Sequence, residues 1–146
     1  MTEFMKIFQE LLDDNNFTLR SFSEKINIPF QVLYSYKNQD YYPTLSVAEK
    51  IVNYFDCSFN YLFGVDDYLQ HEDFKPVDVG VFYSRYVALL EKNNTSHYFL
   101  YKNKGLNNSS ITKWKNGSIP KVESLKIIAE HFQVSIDYLI GRTDNY

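Results

Sequence analysis

Ser135-Ile136-Asp137-Tyr138-Leu139-Ile140-Gly141, near the end of the chain, repeats Ser58-Phe59-Asn60-Tyr61-Leu62-Phe63-Gly64 at an offset of 77 residues. Working back, Pro120 falls on Pro43 at the same offset. One residue of difference in the preceding loop shifts the offset to 78, and the match resumes. Trp114 falls on Tyr36, Ile111 on Leu33, Leu89-Leu90 on Leu11-Leu12, and Phe82 on Phe4. A self-match of this length fixes the architecture before any single residue is interpreted. The chain carries two copies of one small unit, and each copy can be read against the other.

The period within each copy is helical. Phe4, Ile7, Phe8, Leu11 and Leu12 recur at i, i+3, i+4, i+7 and i+8, one apolar stripe on a first helix. Phe82, Tyr86, Leu89 and Leu90 repeat it. Asn15-Asn16 and Asn93-Asn94 suit helix ends, because asparagine tolerates left-handed backbone. Thr18 and Ser96 then read as N-caps of a second helix. A short turn follows, Asn27-Ile28-Pro29 in one copy and Gly105-Leu106-Asn107 in the other, and leads to a third helix ending near Tyr36 or Trp114. After Pro43 or Pro120 comes a fourth helix, with Leu45, Ala48, Ile51, Val52 and Phe55 matched by Val122, Leu125, Ile128, Ala129 and Phe132. Ser58 and Ser135 suit caps of a short fifth. With no strand signal, the expected fold is all-α: two five-helix domains in tandem, residues 1–64 and 81–146. The acidic, Pro76-containing stretch 65–80, with Asp66, Asp67, Glu72 and Asp73, reads as the linker.

Charge separates the copies. Residues 1–74 carry five basic and twelve acidic side chains, a balance of −7, whereas residues 75–146 carry ten and six, a balance of +4. The sum returns the net −3 of the chain. Only the second half has the sign that meets a polyanion. Glu3 and Lys6 interrupt any apolar leader, and no run reaches the roughly 18 apolar residues of a membrane span. The single cysteine, Cys57, aligns with Val134 at a core position, so a buried thiol is expected, in a cytoplasmic protein without disulfides.

Gly105-Leu106-Asn107, Ile111-Thr112-Lys113-Trp114, Asn116-Gly117, Pro120, Ile127-Ile128-Ala129 and Asp137-Tyr138-Leu139-Ile140-Gly141 together resemble the lambda-repressor-like (Xre/Cro) helix-turn-helix family. The first copy resembles it more loosely, through Ile28, Leu33, Tyr36, Pro43 and Asn60-Tyr61-Leu62-Phe63-Gly64. The resemblance implies binding to double-stranded DNA for transcriptional control, with the third helix in the major groove. Ile111 and Trp114, three apart, face the core and leave Asn108, Ser109, Thr112 and Lys113 outward as base-contact candidates. Asparagine pairs bidentately with adenine, and lysine reaches guanine acceptors. Asn107 is better read as the N-cap of that helix. The family's phosphate-contact positions fall on His97 and Asn116, and Lys115 and Lys121 add charge at the same edge.

The first copy departs at those positions. Leu19 stands for His97, Phe30 for Asn108, Gln31 for Ser109, Ser35 for Lys113, and Pro29 for the N-cap. Its outward face offers Phe30, Tyr34, Tyr41 and Tyr42, an aromatic set suited to protein contact. The alternative is that Phe30 folds back onto its own core. In the second copy Tyr101 and Lys104 stand where the family prefers a small and an apolar residue, so irregular packing of the second helix is expected there, with the Lys104 stem snorkelling.

Catalytic and cofactor signals are missing. His71, His97 and His131 are scattered, without partners at metal-ligand spacing, and no phosphate-cradling glycine loop is present. No cofactor and no enzymatic activity are expected. The expectation is a sequence-specific DNA-binding regulator, repressor-like, reading DNA with the second domain and associating as a homodimer, or with a protein partner, through the first. Its rivals are a tandem clamp with both domains on DNA and an interaction module that keeps the fold without binding DNA.

Overall fold

The structure is a computed structural model and describes residues 1–66 and 73–146. Among these residues all regular structure is helical. The chain divides into two units, Met1–Glu72 and Asp73–Tyr146.

The first unit contains α1 (Glu3–Asp14), α2 (Leu19–Lys25), α3 (Phe30–Asn38), α4 (Leu45–Phe55) and α5 (Phe59–Leu62). The α1 stripe is buried through Phe4, Met5, Phe8, Leu11 and Leu12, while Ile7 is half-buried. Phe4 lies at the centre of an aromatic core, stacked on Phe8 at 5.5 Å and on Phe63 at 5.4 Å, with the Tyr36 edge at 5.6 Å. Full burial of each such side chain stabilises the fold by about 1.5–3 kcal/mol.

The second unit begins with a single 3-10 turn at Val79–Val81. It continues through α6 (Phe82–Lys92), α7 (His97–Lys104), α8 (Ser110–Lys115), α9 (Val122–Phe132) and α10 (Ile136–Leu139). Phe82 and Tyr86, in the places of Phe4 and Phe8, stack at 5.8 Å, and Trp114, in the place of Tyr36, meets them edge to face at 5.1 and 5.5 Å.

The repeated caps explain why both copies break into helices at the same places. Asn16 and Asn94 take positive φ, 59° and 51°, at the end of the first helix of each copy. Just before them, the Asn15 and Asn93 side-chain amides donate to the carbonyls of Leu11 and Leu89, each at 2.8 Å. Thr18 and Ser96 accept from Ser21 N–H and Phe99 N–H as N-caps, and Ser58 and Ser135 do the same for Tyr61 and Tyr138. Each of these caps stabilises its helix by about 1 kcal/mol.

Two expectations are revised. The helix carrying Tyr101 and Lys104 is expected to pack irregularly, with the Lys104 stem along the core; α7 itself runs unbroken over His97–Lys104, ends on Gly105 at φ +87°, and buries only His97 and Leu100. Tyr101 simply lies at the surface beside Tyr98, with the Lys102 ammonium 5.2 Å from its ring. Lys104 itself is exposed and borders a shallow recess with Ile127, Glu130 and His131.

The expected linker is the other revision. Its residues 67–72, with Asp67, Glu72 and also His71, lie outside the described residues. Residues 73–80, however, are part of the second unit. Lys75 N–H donates to the Arg142 carbonyl at 2.8 Å, and Asp78 N–H to the Ile140 carbonyl at 2.7 Å. Gly141, at φ +78°, permits this approach, since a Cβ there would sit 3.0 Å from the Asp78 Cβ and 3.1 Å from its carbonyl oxygen. The Arg142 guanidinium stacks on Phe74 at 4.3 Å and pairs with Asp137, both members being buried. These anchors are backbone bonds and a distant arginine, which leave no local periodicity to read.

Candidate nucleic-acid interface

The second unit presents α8 with its polar side outward. Trp114 is buried and Ile111 half-buried, as their spacing requires. Asn108, Ser109, Thr112 and Lys113 are all exposed, as are Lys115, Asn116 and Lys121.

Both ends of this short helix are tied down by local chemistry. At its start the Asn107 Oδ1 accepts from Ser109 N–H at 2.9 Å and from the Ser109 hydroxyl at 2.8 Å. These bonds close a turn just ahead of the helix, so Asn107 is not the expected N-cap: regular helix begins at Ser110, and the cap position is Ser109, with no side-chain cap bond. Ser109 therefore spends its hydroxyl proton internally and keeps its oxygen as an acceptor. At the other end Ser118 N–H donates to the Lys113 carbonyl at 2.9 Å and Gly117 N–H to the Trp114 carbonyl at 3.1 Å. This is a Schellman closure, and Gly117 at φ +96° supplies its left-handed residue.

In the second unit ion pairs engage Lys75, Arg85, Lys126 and Arg142. Among the described residues none engages Lys113, Lys115 or Lys121, which flank the exposed α8 side. Exposed lysines of this kind, on and beside α8, suit phosphate and guanine acceptors.

His97 is corrected. Its ring is only 6% exposed and is not at the surface. The Tyr86 hydroxyl lies 2.7 Å from Nδ1, and the Asn107 carbonyl 2.8 Å from Nε2. With both ring nitrogens bonded inside the domain, none is left for a phosphate. The family position it occupies suggested an outward side chain. The partner that turns it inward is Tyr86, eleven residues earlier, where the first copy has Phe8.

The corresponding face of the first unit differs in chemistry. Ser35, in place of Lys113, donates its hydroxyl back to the Val32 carbonyl at 2.6 Å. Pro29 precedes α3 without any side-chain cap. Phe30 does not fold onto the core. It is half-buried, stacked on Tyr34 at 5.4 Å, with the Arg20 guanidinium 4.1 Å above its ring. Tyr34 and Tyr41 are 40% and 55% exposed. Tyr42 is different: it is half-buried and leans toward Phe63 at 6.0 Å, so little of it remains as free surface. Sequence reasoning missed a second aromatic surface, Tyr98, Phe99 and Tyr101 on α7, all exposed. The weak amphipathicity of His97–Lys104 was the available signal, since its apolar side chains fall on every side.

The helix-turn-helix family model matches the chain twice, over residues 8–62 and 88–139. The chain belongs to the lambda-repressor-like helix-turn-helix family. It consists of two such domains in tandem, and the family is one of DNA-binding regulators. No curated protein and no solved structure matches it. Among the described residues no helix of this helix-turn-helix protein is long and apolar enough to cross a membrane.

Proposed function

We propose that this protein is a sequence-specific transcriptional regulator, repressor-like, that reads the major groove with α8 of its second domain. Asn108, Ser109, Thr112 and Lys113 meet base edges, and Lys115, Asn116 and Lys121 meet phosphates. The observation that carries this reading is the exposed polar side of α8, flanked by Lys113, Lys115 and Lys121, which form no ion pair among the described residues. The first domain lacks that chemistry and carries a net acidic sequence. Its Phe30, Tyr34 and Tyr41 side chains are suited to association, so that two chains place two reading helices roughly 34–36 Å apart on one operator. A cytoplasmic location goes with this role.

Selection of random duplexes with the full chain, followed by titration, tests the reading. Asn108→Ala should relax preference at one base pair by about 1–3 kcal/mol. Lys115→Ala and Lys121→Ala should weaken all sequences alike and each reduce the salt slope by about one. A parallel Ser35→Ala variant in the first domain should change neither. Unaltered base preference in Asn108→Ala would remove that residue from the reading face. Light scattering tests association: Phe30→Asp with Tyr34→Asp should convert dimer to monomer. A wild-type monomer at tens of micromolar would refute the dimer, and a dimer surviving the double substitution would move the interface to Tyr98, Phe99 and Tyr101.

A further inference from the structure

We propose that Tyr86, His97 and Asn107 form one hydrogen-bonded relay that sets the first turn of the reading helix, making His97 a positioning residue for base recognition. The directions of the bonds follow from their chemistry. The Asn107 carbonyl can only accept, so His97 Nε2 carries the proton and donates to it at 2.8 Å. Nδ1 is then the acceptor, and the Tyr86 hydroxyl donates to it at 2.7 Å. Burial keeps the Tyr86 phenol protonated, raising its pKa well above the ordinary 10.0. In the neutral ring these two bonds select one tautomer, with both nitrogens satisfied.

The relay acts on the residues that read DNA. The carbonyl that His97 holds also accepts from Ser110 N–H at 3.2 Å, in the turn that leads into α8. The side chain of the same asparagine fixes Ser109 through two bonds. The His97 ring also meets Trp114, in the last turn of α8, edge to face at 5.7 Å. One buried side chain therefore contacts the turn into the reading helix by a hydrogen bond and the far end of that helix by ring packing.

Comparison of the copies separates this role from ordinary core filling. The equivalent positions of the first domain hold Phe8, Leu19 and Pro29. The two side-chain members, Tyr86 and His97, are replaced together, in the copy whose third helix has lost Asn108 and Lys113; Pro29 keeps the carbonyl, which accepts from Val32 N–H at 3.0 Å, but offers no side chain to hold the next residues. A domain of this fold closes its core without the relay, so the relay answers another requirement. Fixing Asn108 and Ser109 for bidentate contact is one, because such contacts tolerate little misorientation.

The inference rests on the proposed DNA reading, and its test has one arm free of DNA. Tyr86→Phe with His97→Leu installs the first domain's own pair and leaves no buried polar group unpaired, since the Asn107 carbonyl keeps Ser110 N–H. In the full chain without DNA, amide hydrogen exchange at Ser109 and Ser110 should accelerate at least tenfold, with Trp114 fluorescence still native. In titrations, discrimination between the selected duplex and a single-base variant at the Asn108 position should fall about tenfold. Affinity for mixed duplex at the same salt should stay within twofold. His97→Gln, which keeps one donor and one acceptor, should restore most of both. Unchanged exchange overturns the relay whatever happens with DNA. Faster exchange with undiminished discrimination overturns the positioning role. A wild-type chain that does not discriminate overturns the DNA reading itself, and the positioning role with it.

Discussion

Replacing Arg142 by methionine should unfold the second domain selectively. Arg142 and Asp137 are 3% and 1% exposed and bonded to each other. Methionine keeps most of the side-chain length but leaves the Asp137 carboxylate buried without its cation. Breaking one member of a buried pair costs about 3–5 kcal/mol. The stacking on Phe74 at 4.3 Å is lost as well, about 0.5–1 kcal/mol more. At about 0.05–0.15 kcal/mol per residue, a unit spanning residues 73–146 has only about 4–11 kcal/mol in all. The loss is therefore about a third of the total or more, and the melting temperature of this domain should fall by more than about 12 °C. Trp114 is the single tryptophan and lies in the second unit, so its fluorescence during urea unfolding of the full chain isolates that domain. Helical circular dichroism should then show a second, unshifted transition from the first domain. The first copy supplies the control. It has Asn60 and Val65 at these positions, with Asn60 bonded through its amide to Asp66 at 3.2 Å. The double variant Asp137→Asn, Arg142→Val should recover most of the loss, because removing both partners is close to neutral. A shift below about 1 kcal/mol in Arg142→Met, or a double variant no more stable than the single, would refute this account.

Gly117→Ala should cost about 1–2 kcal/mol by urea unfolding although its Cβ meets nothing within 4 Å, because φ +96° alone opposes a side chain; Gly117→Asn should cost less. His131 has its pKa lowered from 6.5 by burial and by the nearby Lys104. The unfolded chain therefore binds more protons there, so this contribution to stability is present above pH 6.5 and lost as pH falls. In proton NMR titrations Lys104→Gln should move the His131 midpoint upward, and a fixed midpoint would discard the Lys104 contribution. Burial raises the Tyr86 phenol pKa well above 10.0, so above pH 10 the unfolded chain ionises first and stability falls as pH rises. Tyr86→Phe should flatten the alkaline limb monitored by Trp114, and an unchanged limb would contradict the buried, protonated phenol.

The sequence by itself determined the repeat, the helices and their ends. Phe4 to Leu12 and Phe82 to Leu90 carry a 3.6-residue period, and asparagine, serine and threonine caps act on backbone groups two to four residues away. Such signals are local, so they are written in order along the chain. It also determined which surface is polar: Ile111 and Trp114, three apart, commit α8 to one orientation and leave Asn108, Thr112 and Lys113 on the other side. The tertiary structure decided what depends on partners far along the chain. His97 turns inward because Tyr86 waits on α6 and Asn107 on the turn before α8. Residues 73–80 leave the linker because Ile140, Gly141 and Arg142 receive them. Tyr42 settles toward Phe63, whereas Phe30 stays outside under Arg20. Each of these outcomes is a choice between burial and exposure for a side chain capable of either. A hydrogen bond or ring contact made only after the helices pack settles that choice, and no periodicity announces it.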